Sequence, residues 1–122
     1  MAYLSAMSDA LHTVVETHRF VRDAKAVGLS DEERAGIVDL IAADPTQGVE
    51  IRGSGGVRKV RVAGRGKGKS GGYRVVVAFY GTDVPVYLFA LLSKGERETF
   101  TAAEVAAMKA VSLAIRAAKR KG

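Results

Sequence analysis

At Gly48 the hydrophobic spacing of the chain changes from helical to alternating, and that switch limits the folds open to it. Upstream, Phe20, Ala24 and Val27 recur at i, i+4 and i+7 and predict a helix over about 17–27 that closes at Gly28. Ser30 followed by Glu33 forms a capping box for a second helix with Ile37, Val38, Leu40 and Ile41 on its apolar face. Asp44-Pro45 ends that helix, because the residue before a proline is pushed out of the helical region. Downstream, Val49 and Ile51 alternate with Glu50 and Arg52, Gly53–Gly56 turns the chain, and strands are predicted over 57–62, 73–80 and 86–92. Pro85 falls at the start of the last of these, where a missing N–H is tolerated. The β-branched stretch 12–17 predicts a short edge strand before the first helix, and Thr101 with Glu104 caps a last helix. A helical hairpin on a small antiparallel sheet, closed by a C-terminal helix, is an α+β arrangement. Residues 1–122 are thus expected to form a single domain, long enough to hide roughly two-thirds of the unfolded chain's surface.

Charge narrows the function. The chain carries 19 Lys and Arg against 13 Asp and Glu, a net +6. No acid occurs between Ile51 and Thr82, while Arg52, Arg58, Lys59, Arg61, Arg65, Lys67, Lys69 and Arg74 all fall there. A block of one sign recruits polyanions, of which RNA and DNA are the commonest, although a solvated basic loop has the same composition.

Several chemistries are poorly served. Cysteine is absent, so disulfides, a thiol nucleophile and cysteine-based zinc sites are excluded. His12 and His18 fall on different predicted elements without a third ligand at metal spacing, and the basic segment lacks the carboxylates that a metal-dependent nuclease requires. Gly68-Lys69-Ser70 matches the end of a phosphate-loop motif, but its first glycine should stand at Ala63, and a strand rather than a helix follows. No apolar run reaches membrane-spanning length, and the first ten residues lack the basic start of a secretory signal, so a cytoplasmic protein without a membrane partner is expected.

The remaining candidate is a cationic sheet face. Along 57–62, Lys59 and Arg61 share one side, while Arg58 shares the other with Val60 and Val62. The two cations are therefore expected on a face outside the core. Arg74 stands near the start of the neighbouring strand, and Lys94 and Arg97 follow the last one. Such a cluster suits either phosphate binding or metal-free RNA cleavage, in which the 2′-hydroxyl attacks while a base, an acid and fixed positive charge assist. Arginine supplies permanent charge, and lysine, which exchanges its proton more readily, fits a share in proton transfer through Lys59 or Lys94.

In these segments, Arg52–Val62 and Gly66–Tyr80, the paired patterns GGxRKxR and GKxGGxR resemble the RelE/HigB family of toxin-antitoxin toxins, and its HigB-like branch in particular. The likeness extends over about 13–111 and includes Ala24–Glu33 and Leu91–Glu104. It implies a RelE-like microbial RNase fold, ribosome-dependent cleavage of mRNA in the A site without cofactor or metal, and neutralisation by a cognate antitoxin. By motif, it implies catalytic roles for Lys59, Arg61, Arg74, Lys94 and Arg97, and RNA contacts from Arg58, Arg65, Lys67, Lys69 and Tyr73. The sequence departs from some members in having Phe100 and Thr101 where a tyrosine or histidine would stand near the C-terminus. Phe100 is read first as an anchor for the last helix. Two other readings are an inactive RNA- or DNA-binding module of the same fold and an adaptor that binds only an antitoxin.

Overall fold

The computed structural model describes residues 12–63, 72–93 and 99–121. Among these residues, five strands form one sheet: β1 (Val14–Glu16), β2 (Val49–Glu50), β3 (Val57–Val62), β4 (Tyr73–Ala78) and β5 (Val86–Leu92), in the order β1-β5-β4-β3-β2. The described helices are α1 (His18–Ala26), α2 (Asp31–Ala43) and α3 (Ala102–Lys121).

The expected α+β architecture is present, with β3, β4 and β5 as an antiparallel meander. One feature differs from the antiparallel expectation: β1 runs parallel to β5, which makes the sheet mixed. Hydrophobic alternation is the same for either direction of pairing, so the pattern at 12–17 locates the strand but not its partner. The strand near 50 is also shorter than the alternation suggests. Ile51, just past the strand, still donates its N–H to the Val57 carbonyl at 2.8 Å and buries its side chain, 9% exposed, in the core beneath α3.

The caps follow the sequence closely. Ser30 Oγ accepts from Glu33 N at 3.0 Å while Glu33 Oε1 accepts from Ser30 N at 2.8 Å, the reciprocal box that opens α2. Thr101 and Glu104 repeat it before α3, at 2.8 and 3.1 Å.

Each face of the sheet has its own core. Towards α1 and α2, Phe20, Ile37 and Ile41 pack on Val60, Val62, Val75, Val77, Val86, Leu88 and Leu91. Towards α3, Val57, Val76, Ala78, Ala90 and Leu92 join Ile51 beneath Phe100, Val105 and Met108. The face carrying Lys59 and Arg61 is therefore half core and half charge. This corrects the expectation that it lay outside the core, which arose because β3 contributes only Val57 to that packing.

A β-bulge joins the two layers. Val76 faces Ala90 and Val77 faces Leu88, leaving Phe89 as the extra residue. Where β1 ends, side chains from α1 and its cap continue the hydrogen bonding of β5: Thr17 Oγ1 donates to the Leu88 carbonyl at 2.8 Å, and Asp23 Oδ2 accepts from Leu91 N at 3.0 Å. The bulge turns both Phe89 and Ala90 towards α3.

Candidate functional site

Strand alternation and register bring three cations together. Lys59 and Arg61 lie on the α3 side of β3, and Arg74 lies directly across the ladder from Arg61. Like charges at facing positions destabilise a strand pair unless other groups compensate them. Arg74 is only 8% exposed, and its Nη1 donates to the Tyr73 carbonyl at the long distance of 3.5 Å. Lys59 is half-buried and Arg61 is exposed.

These side chains line an open cleft of about 370 Å³ together with Gln47, Gly48, Val49 and Val60. None of the described lining residues is acidic or a histidine, so the cleft offers donors and positive charge, the complement of a phosphate. Gly48 sets one wall. Its φ is +89°, and a Cβ there would lie 2.2 Å from the Lys59 carbonyl oxygen, so only glycine lets the chain leaving α2 press this closely on β3.

Helix α3 closes the other end of the same face through a polar clamp. Ser112 is fully buried, and its Oγ lies 3.0 Å from the Ser54 carbonyl, 2.8 Å from the Met108 carbonyl and 2.7 Å from the Tyr80 phenol oxygen. A serine that gives its single proton to a carbonyl must accept from Tyr80, which makes the phenol the donor. Burial pushes the Tyr80 pKa up, because it disfavours the phenolate. Arg116 lies over the Tyr80 ring at 4.9 Å and donates from Nη2 to the Gly55 carbonyl at 3.0 Å. The turn before β3 is thus tied to α3, while among the described residues none of α3 lines the cationic cleft.

The other predicted residues divide into two groups. Arg58 points to the opposite side of the sheet and pairs with Glu50 across the ladder at 3.9 Å. Tyr73 also faces the helical hairpin, lining a shallow cleft with Leu29, Ile37 and Val62. Neither joins the cleft of Lys59, Arg61 and Arg74. Arg65, Lys67, Lys69, Lys94 and Arg97 lie outside the described residues. Phe100 packs half-buried against the α3-side core, as an anchor for that helix would.

Sequence reasoning missed two features: the Gln47–Gly48 rim and the Ser112 clamp. The second had a signal, since Ser112 stands on the same helical face as Val105 and Met108, where an apolar residue is the ordinary choice.

Fold and cleft together define a small α+β protein with a cationic cleft on one sheet face. A family model described as the RelE toxin of the RelE/RelB toxin-antitoxin system matches residues 12–122. The chain belongs to the RelE toxin family, and with that membership it is a toxin of a toxin-antitoxin system with a cognate antitoxin as partner. Among the described residues no helix is long and apolar enough to cross a membrane.

Proposed function

We propose that this toxin is a ribosome-dependent endoribonuclease of the HigB-like branch, which cuts mRNA in the A site by attack of a ribose 2′-hydroxyl on the adjacent phosphate. The observation that carries this reading is the convergence of Lys59, Arg61 and Arg74 on one cleft whose described lining holds no acid. Membership of the RelE toxin family supports it.

The chemistry needs no metal. The 2′-oxygen forms a bond to phosphorus as its proton leaves, the bond from phosphorus to the 5′-oxygen breaks, and that oxygen takes up a proton. The products are a 2′,3′-cyclic phosphate and a 5′-hydroxyl. Negative charge grows on the non-bridging oxygens in the transition state, where fixed guanidinium groups are worth most. Arg61 and Arg74 are assigned to that charge, and Lys59 to phosphate contact and proton exchange. Lys94 and Arg97 remain candidates for the acid and base, with RNA contacts from Arg65, Lys67 and Lys69. Arg58 and Tyr73 face away from the cleft, so their RNA contacts would be made on the other side of the sheet.

Induced expression in a bacterial host, with cleavage sites mapped on translated mRNA, tests the assignment. The wild-type chain should arrest growth and cut within translated codons, and a folded Lys59→Ala/Arg61→Ala variant should do neither. Growth arrest by a folded wild-type chain with intact mRNA would remove the nuclease reading. Unimpeded growth with retained, salt-sensitive RNA affinity would favour the inactive binding module.

A further inference from the structure

The cationic cleft has one polar rim residue of a different chemistry. Gln47 Nε2 lies 3.1 Å from the Leu40 carbonyl and 3.0 Å from the Asp44 carbonyl. Carbonyl oxygens only accept, so the atom facing them is the amide nitrogen, and the orientation of the carboxamide is chemically determined. Both of its N–H groups are thereby directed to the C-terminal end of α2. Its Oε1 is left as an acceptor, and among the described residues no donor hydrogen-bonds to it. The close seat of Gly48 on the Lys59 carbonyl holds this rim beside the cations.

Lysine and arginine donate only, and so recognise the phosphate. An acceptor beside them adds to recognition only where the same ligand brings a donor. A phosphodiester linkage has no donor of its own, but a nucleotide carries donors a short distance from its phosphate. The exocyclic amino groups of adenine, cytosine and guanine are unhindered donors, whereas the N3–H of uracil lies between two carbonyls that repel an approaching amide oxygen.

We propose that Gln47 reads the base of the nucleotide whose phosphate Lys59, Arg61 and Arg74 hold, by accepting a hydrogen bond at Oε1 from an exocyclic amino group. This rests on the nucleic-acid reading above. Gln47 is a specificity residue here, with no part in the bond-breaking step.

The test is binding of the full chain to labelled pentaribonucleotides at low salt, measured by fluorescence anisotropy. Oligoadenosine is compared with the same oligomer carrying purine in place of adenine, which deletes only the amino group; oligocytidine is compared with its 2-pyrimidinone counterpart. The wild-type chain should bind the amino-bearing RNA about fivefold to tenfold tighter, the span of one net hydrogen bond. Gln47→Met should reduce that ratio to about one while binding purine RNA within about twofold of wild type, as expected when the acceptor is lost and the cations stay. Since Met also removes two hydrogen bonds from the end of α2, Gln47→Arg is measured beside it. Arg keeps N–H donors for the two carbonyls, lacks an acceptor, and should lose the discrimination equally. Equal wild-type affinity for the paired RNAs, or an unchanged ratio in both variants, would overturn the proposal. So would sensitivity to Gln47 substitution that follows the 2′-hydroxyl, seen with 2′-deoxy oligomers, instead of the amino group. Absence of any salt-sensitive RNA binding would sink the nucleic-acid reading along with this one, whereas binding without discrimination would sink this one alone.

Discussion

The two faces of the sheet are built from the same strands yet serve different ends. Towards α1 and α2, the described core is continuously apolar, from Val60 and Val62 on β3 to Leu88 and Leu91 on β5. Towards α3, the apolar surface stops partway, and Lys59, Arg61 and Arg74 occupy positions where a packed sheet would carry valine or leucine. Packing and charge are thus divided between the faces: one is apolar throughout its described core, and the other combines a smaller core with the facing Arg61 and Arg74. Polar groups on the two faces differ in the same way. Thr17 and Asp23 finish the hydrogen bonding of β5 beside the first core, whereas Ser112 and Tyr80 hold down a helix over the second.

The largest expected effect is on the apolar face. Phe20→Ala, at a fully buried site, should destabilise the protein by about 3–5 kcal/mol in chemical denaturation. A loss below about 1 kcal/mol would mean that this face is not the principal core.

Next comes the clamp. Ser112→Val removes the shared partner of Tyr80 and the Ser54 carbonyl, and should cost about 1–3 kcal/mol by leaving buried polar groups unpaired. Thermal unfolding beside Phe20→Ala would rank the two faces. A Ser112→Val protein as stable as wild type would show that apolar packing alone seats α3.

On the charged half the sign should reverse. Arg61→Gln relieves the cross-strand repulsion and should leave stability unchanged or raise it by up to about 1 kcal/mol. RNA binding by the same variant should weaken, with the slope of log K against log salt falling by about one. A variant that lost stability and kept its RNA affinity would place Arg61 with the structural residues.

The smallest effect is in the alkaline range. The Tyr80 pKa is raised in the folded protein, so its contribution is present below the ordinary tyrosine value and is lost as pH rises through the raised one. Tyr80→Phe should therefore lose less stability than wild type between neutral pH and the region above about 10. Parallel losses in melts across that range would disconnect the phenol from the clamp.

Much of this was legible in the chain. Ser30 with Glu33 and Thr101 with Glu104 mark helix starts, because a capping box is satisfied within four residues. The alternation in Val57–Val62 correctly separates Lys59 and Arg61 from Arg58, because period two is a property of any extended strand. The opposition of Arg61 and Arg74 was not legible, since register depends on the pairing of two strands that a long loop separates in sequence. Nor was the orientation of Gln47, whose carboxamide is held by carbonyls at Leu40 and Asp44 that only a finished helix end presents together.

What the sequence determined by itself is local: where the helices start and stop, which strand faces carry charge, and the acid-free basic block from Ile51 to Thr82. These follow from backbone sterics and side-chain period, which act over a few residues. Tertiary structure decided the parallel pairing of β1 with β5, the placement of α3 over half of one sheet face, and the closing of Gln47, Lys59, Arg61 and Arg74 around one cleft. Each of these joins residues distant in the chain, and their geometry is set by packing and strand register rather than by any local preference.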